Sequence, residues 1–117
     1  MKPHVRVAVV AMAAAHAHRQ EISSVYDYSR SKHISVSVSV RGTEVDGFDY
    51  ANSCHFGGSL PDLFHYGVGR HIELNPDGGG KYSGYDYDLG RHFEITVEGN
   101  SIECYDYDDG KFFSYSI

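Results

Sequence analysis

A nine-residue motif occurs five times in this chain and constrains its fold more than any other feature. Each copy begins with an aromatic residue, followed by a second residue that is usually Asp and a third that is always Tyr. Four turn-forming residues come next, and then usually His before an apolar residue. Self-similarity at a short, regular spacing predicts one supersecondary unit per copy. The copies are YDYSRSKHI, FDYANSCHF, FHYGVGRHI, YDYDLGRHF and YDYDDGKFF, starting at Tyr26, Phe48, Phe64, Tyr85 and Tyr105.

The motif predicts the tip of a β-hairpin. Gly, Asn or Asp in the central pair of four copies suits a two-residue loop between antiparallel strands, whereas Arg30-Ser31 fits one poorly. Two-residue loops would place Tyr28 opposite His33, and the tyrosines of the later copies opposite His55, His71, His92 and Phe112. Opposite turns are predicted at 41–44, 59–62, 75–81 and 98–101. We therefore predict five hairpins and ten strands.

Alternation of apolar and polar residues assigns the two faces of these strands. In HISVSVSV, the apolar residues from Ile34 to Val40 point one way and the serines the other, and HFEITVE repeats the pattern. An open ten-strand sheet would leave two exposed edges, which closure of the last strand onto the first removes. The sequence predicts an all-β fold: a closed ten-strand antiparallel meander barrel of five hairpin repeats over 22–117, pseudo-fivefold, with an N-terminal apolar segment.

A barrel of this size predicts an apolar channel. Ten strands enclose more space than the eight-strand barrels that side chains just fill, and Gly47, Gly58 and Gly84 add no bulk to the interior. We expect the space to hold a small apolar or lipid-like ligand, or else the chain's own residues 5–15. The predicted channel-lining residues are Val36, Val38, Val45, Phe56, Leu63, Ile72, Phe93, Ile95, Ile102, Phe113 and Tyr115.

A charged rim is predicted at the hairpin tips. The motif aspartates fall on the apolar face, where a carboxylate without a partner is costly, and the basic residues one turn further are diagonal to them. We favour a rim of ion pairs and turn hydrogen bonds; the alternative is a charged mouth that grips a polar headgroup. The rim residues are Asp27, Asp49, Asp86, Asp106, Lys32, Arg70, Arg91 and Lys111.

The N-terminal segment differs from the rest of the chain. Lys2 and Arg6 precede an apolar run over 7–15, and the small-residue sequence AHA ends at Ala17. This pattern is typical of a secretory signal peptide, so residues 1–17 are predicted to be one, with an N-terminal helix or plug as the alternative. The run is too short to span a bilayer. Cleavage would make the protein secreted or periplasmic; without cleavage we expect it in the cytoplasm.

Several functional classes are disfavoured by the sequence. The net charge of -6 and the scattered Lys and Arg residues argue against nucleic-acid binding. No nucleophile-elbow, zinc-protease or P-loop motif is present, so no enzymatic activity is predicted. Equivalent histidines of neighbouring hairpins would be about 9.5 Å apart, too far to share a zinc ion bonded at about 2 Å. We predict no metal, no cofactor and no disulfide between Cys54 and Cys104.

Tandem YDY-x4-H hairpins in a small all-β chain resemble the β-flower proteins, shallow symmetric barrels of hairpin petals related in architecture to the tubby-type C-terminal barrels. The resemblance covers Tyr26 to Ile117, with His65 in place of Asp and Phe112 in place of His as departures. It implies a barrel around an apolar channel and no catalytic residue. It implies no activity, and two function classes remain: a binding module for an apolar or amphipathic molecule, or a structural or interaction protein whose outer Tyr, His and Ser surface binds a protein or a glycan.

Overall fold

The computed structural model describes the whole chain, residues 1–117, as one helix followed by ten strands. Their bounds are α1 Pro3–His18, β1 Ile22–Asp27, β2 Lys32–Arg41, β3 Glu44–Asp49, β4 Cys54–Ser59, β5 Asp62–His65, β6 Arg70–Gly78, β7 Lys81–Asp86, β8 Arg91–Glu98, β9 Ser101–Asp106 and β10 Lys111–Ser116. We call the five repeat loops the tip end of the molecule and the four opposite turns its base end.

The strands form the closed antiparallel meander that the repeat predicts. Every strand pairs with its neighbours in the chain, and β1 pairs with β10 to close the barrel. The closing seam is short, with Tyr26 opposite Ser116 and Asp27 opposite Tyr115. The four base turns lie within the predicted ranges. The predicted architecture is therefore confirmed, including its ten strands.

The tip loops differ from the prediction in length. Asp27 lies opposite Lys32 and Tyr26 opposite His33, so four residues rather than two connect β1 to β2. The prediction that Tyr28 faces His33 is therefore wrong, and the equivalent pairs in the other repeats shift in the same way. The Asp27 side chain holds the wider loop, since its Oδ1 accepts a hydrogen bond from the backbone N–H of Ser29 at 3.0 Å.

The last residue of each tip loop has a left-handed backbone. Its φ is 52° at Ser31 and 50° at Ser53, and Gly occupies the position in the remaining loops. A residue with a Cβ atom is strained in this conformation. We expect Ser53→Gly to raise the free energy of unfolding by about 0.5 kcal/mol, since relief of strain outweighs the greater freedom of the unfolded chain. Urea unfolding would measure this, with Gly90→Ser as the matched reverse change; a lower urea midpoint for Ser53→Gly would contradict it.

Phenylalanine rings fill the space beside two inward glycines. Gly47 lies opposite Phe56 and Gly84 opposite Phe93 on neighbouring strands. A Cβ atom added to either glycine would collide with the facing ring. Contrary to the expectation that these glycines leave the interior empty, each one makes room for an aromatic side chain.

Helix α1 runs through the barrel interior. Every residue from Val5 to Ala15 is buried, and all of them except Arg6 belong to the same core as the inward strand residues. The run is apolar around its whole circumference, as a helix enclosed on all sides must be. Its alanines and valines keep the helix thin enough for the space available. The eleven residues predicted to line a channel are all buried and form a wall around this helix.

The two ends of α1 reach the two ends of the barrel. The amino group of Met1 is 2.8 Å from Asp106 at the tip end, and Nε2 of His18 is 2.7 Å from the carbonyl of Gly99 at the base end. The helix is not long and apolar enough to cross a membrane. The arrangement is the N-terminal plug named above as the alternative, and cleavage after Ala17 stays a prediction.

Candidate functional site

Each repeat builds a stack of three aromatic rings on the outer wall. Tyr26 lies between Tyr28 and His33, with ring centroids 4.8 and 4.7 Å apart in edge-to-face geometry. Strand pairing places the first aromatic residue of the motif opposite the His. The Tyr follows as the first residue of the loop, so the three rings are neighbours. The other four repeats build the same stack, with centroid distances of 4.7–5.1 Å.

The Tyr ring at one end of every stack is exposed, as is the His or Phe ring at the other end. The five tyrosines show 50–65% of their surface to solvent, although large aromatic side chains are usually buried. Equivalent residues are two strands apart, so neighbouring tyrosines are about 10 Å from one another around the barrel. We call this set the tyrosine ring; its members are Tyr28, Tyr50, Tyr66, Tyr87 and Tyr107.

Backbone hydrogen bonds lock each tyrosine to the preceding repeat. The N–H of Tyr87 donates to the carbonyl of His71, and that of Tyr107 to the carbonyl of His92, both at 3.2 Å. Tyr66, Tyr87 and Tyr107 thus lie beside the His of the repeat before them, whereas Tyr28 and Tyr50 donate to Ser114 and Ser35. Because the backbone fixes both residues, the space between them has a defined shape.

Grooves of about 420–650 Å³ lie between the repeats on the outer wall. Two of them share a side-chain set, which comes from the sequences GRHIE and GRHFE and from the Tyr of the following repeat. The Tyr87 groove is lined by Arg70, His71, Glu73 and Tyr87, and the Tyr107 groove by Arg91, His92, Glu94 and Tyr107. Each therefore offers an aromatic ring, a carboxylate, a guanidinium and an imidazole.

The Tyr107 groove is partly organised by its own contacts. The hydroxyl of Tyr107 donates a hydrogen bond to Glu94 at 2.7 Å, which raises the pKa of the tyrosine. Nε of Arg91 is 3.8 Å from Asp108. These exposed contacts are weak and easily exchanged, so a ligand can replace them.

The rim aspartates are buried as predicted, but they bind partners other than the predicted lysines and arginines. Asp27 accepts hydrogen bonds from Ser29 and from Nε of Arg30, the latter at 2.7 Å, and these outweigh the effect of burial and lower its pKa. Asp49 accepts its bonds from Ala51 and Asn52 in the same way. These two carboxylates are thus satisfied by their own loops.

The basic rim residues do not pair with the aspartates of their hairpins. Lys32, Arg70, Arg91 and Lys111 are exposed, and none lies within ion-pair distance of a buried motif aspartate; the third repeat has His65 in place of that Asp. The predicted diagonal ion pairs are therefore wrong. These flexible side chains reach solvent, where their charges stay hydrated.

Cations at the start of α1 neutralise part of the acidic tip end. Nη1 of Arg6 is 3.1 Å from Asp106, which also binds the Met1 amine, and Nζ of Lys2 is 3.1 Å from Asp88. Oδ2 of Asp86 has no partner, and burial raises the pKa of that carboxyl. No group of three or more His, Cys, Asp or Glu side chains is arranged to hold a metal ion.

The third repeat departs from the others at a buried position that contacts α1. His65 stands where the other repeats have Asp; it is fully buried, and neither ring nitrogen has a hydrogen-bond partner. Its ring stacks on Phe56 at 5.9 Å and meets the edge of His4 at 5.3 Å. The sequence shows this departure, but the contact with His4 depends on the helix lying inside the barrel.

Both cysteines are free, as predicted, with Cys104 buried in the interior and Cys54 partly exposed.

Comparison with known proteins gives no match: no family model covers the sequence, and no curated protein or solved structure is significantly similar to it.

Proposed function

We propose that the protein is a non-enzymatic binding module that recognises a hydroxyl-rich glycan through the tyrosine ring and the grooves beside it. The observation that carries the proposal is the fivefold repetition of an aromatic stack whose terminal Tyr is exposed. A stack that only stabilised the fold would not need this ring to be open to solvent. The five exposed rings instead form a regular set of contact points around one end of the barrel.

The chemistry of the grooves favours a sugar over other ligands. An aromatic face can cover the apolar face of a sugar ring, while carboxylate, imidazole and guanidinium groups exchange hydrogen bonds with its hydroxyls. The carboxylates Glu73 and Glu94 and the net charge of -6 disfavour a polyanion. A large protein interface would need a continuous apolar centre, whereas these rings are separated by polar grooves.

The symmetry of the sites favours a ligand that repeats. A single shallow groove with one exposed ring binds weakly, but linked sites about 10 Å apart can be occupied together by one polymer. The second and later contacts are then intramolecular, which raises the overall affinity without new contacts. We therefore expect a polysaccharide or a dense array of glycans to bind more tightly than its isolated monosaccharide.

The test is a glycan-array measurement on the wild-type chain and on Tyr87→Ala/Tyr107→Ala. Each aromatic contact contributes about 1 kcal/mol, so loss of two should weaken binding of the best array ligand at least about tenfold. The fold should be retained because both side chains are exposed. Glu98→Ala, an exposed change at the base end, is the matched control. Absence of any glycan ligand for the wild type, or equal affinity of the double variant, would refute the proposal.

A further inference from the structure

Histidines contact or belong to α1 at both ends of the barrel. At the tip end, His65 of β5 packs against His4 of the helix with ring centroids 5.3 Å apart. At the base end, Nδ1 of His16 and the hydroxyl of Tyr82 share a hydrogen bond of 2.7 Å, with the rings edge to face. The seam between helix and barrel therefore contains a titratable imidazole at each end.

The site around His65 gives the imidazole no hydrogen-bond partner and favours its neutral form. The ring is fully buried, and both of its nitrogens lack partners. Gly67 makes the space, because a Cβ atom there would lie 2.9 Å from Cε1 of His65 and 2.7 Å from Sγ of Cys54. A proton added to this ring would place a charge in an apolar site that cannot solvate it unless the helix moves.

Titratable groups of neighbouring elements act on these two imidazoles. His65 is faced by His4 of α1, Cys54 of β4, Asp49 of β3 and Asp88 of a tip loop; burial lowers its pKa, His4 adds to the shift, and the two aspartates oppose it. The pKa of His16 is lowered by burial and then by Arg19.

The direction of both shifts sets the pH window. A histidine whose pKa is depressed in the folded state stabilises that state fully above its unfolded pKa of about 6.5, and this contribution is lost as the pH falls. Ordinary carboxylates titrate near about pH 4, so the interval from about 6.5 to 5 belongs to the histidines. The raised pKa of Asp86 acts in the opposite direction, since protonation of that buried group relieves its desolvation.

We infer that acid increases the transient opening of the α1 plug, and that the opened interior is a second binding site, for an apolar chain. Protonation at either end weakens the docking of the same rigid helix, so the two histidines act together. Once α1 leaves, the exposed wall is formed by side chains such as Phe56, Leu63, Ile72 and Phe93. An acyl chain would bury the same apolar surface that the helix buries at neutral pH.

Cys104 is a built-in reporter of this opening. It faces the interior at 0% exposure, and burial raises the pKa of its thiol to about 12. In a Cys54→Ser background, its reaction with 4,4′-dithiodipyridine can be followed from pH 7.5 to 5, normalised to the urea-unfolded chain at each pH. We expect the normalised rate to rise at least tenfold at pH 5 while circular dichroism retains the β-sheet signal.

Three comparisons decide the inference. His65→Phe/His16→Gln should stay protected at pH 5, His16→Gln alone should shift the opening part of the way, and His33→Gln on the outer wall should behave as wild type. A fluorescent fatty acid should bind the wild type at pH 5 but not at pH 7.5, and Val38→Trp should block it. The inference would be overturned if wild-type Cys104 stayed protected at pH 5, or if the sheet signal were lost when that protection is lost. It would also be overturned if the His16 variants opened at the same pH as the wild type, or if the fatty acid did not bind.

Discussion

Deleting residues 1–20 is expected to abolish cooperative folding of the barrel. Eleven of the 29 residues in the hydrophobic core belong to the N-terminal segment, and their removal would leave the inward strand residues facing a void. The lost apolar burial amounts to about 10 kcal/mol or more, which is comparable to the whole stability of a typical domain, about 5–15 kcal/mol. Thermal unfolding followed by circular dichroism should lose its sharp transition, and the truncated chain should bind hydrophobic dyes at neutral pH.

Adding the missing segment as a separate peptide tests whether the barrel needs the core residues of α1 or its covalent connection to them. A synthetic peptide of residues 1–20 should restore a cooperative transition to the truncated barrel, and the same peptide carrying Val9→Asp should not. The result also bears on the predicted cleavage after Ala17, since a chain starting at His18 would lack nearly all of the plug. A truncated chain that unfolds as cooperatively as the full one would contradict the plug role.

Replacing Arg6 with Met is expected to lower the free energy of unfolding by about 3 kcal/mol, because it leaves a buried charge with fewer partners. Arg6 is only 3% exposed. Its Nε donates to the Tyr115 hydroxyl at 2.8 Å, its Nη1 donates to Asp106 at 3.1 Å, and its guanidinium lies 3.4 Å from the centre of the Phe113 ring. For a domain of this size, the melting temperature should fall by about 10–20 °C.

A double-mutant cycle tests whether the carboxylate causes this loss. If the cost comes from the uncompensated charge of Asp106, Asp106→Asn should be less harmful in the Arg6→Met background than in the wild type. Asn can still accept the loop hydrogen bond from Asp108 N–H, which Oδ1 of Asp106 accepts at 3.0 Å. Strictly additive effects of the two changes would show that Arg6 acts through packing alone.

The sequence was sufficient for the architecture because repetition and alternation are local signals. Five gapless copies specify five tips, and the period of two specifies which residues point inward, as the burial of all eleven predicted lining residues confirms. The four motif aspartates could be placed on the inner face for the same reason. The loop length could not be read as reliably, since the Asp side chain that bonds the loop backbone in four of the five repeats was interpreted as a partner for a lysine or arginine across the hairpin.

The sequence by itself thus determined the barrel, its faces and the positions of its turns, whereas only the tertiary structure decided the length of the tip loops and what fills the barrel. An apolar run such as 7–15 has the same composition whether it serves as a signal peptide or as a central helix, so its place depends on the space that the closed sheet encloses. That enclosure brings His4 to His65, Arg6 to Asp106 and His16 to Tyr82, pairs separated by 61 to 100 positions in the chain. Contacts between such distant residues arise from packing and leave no periodic trace in the sequence.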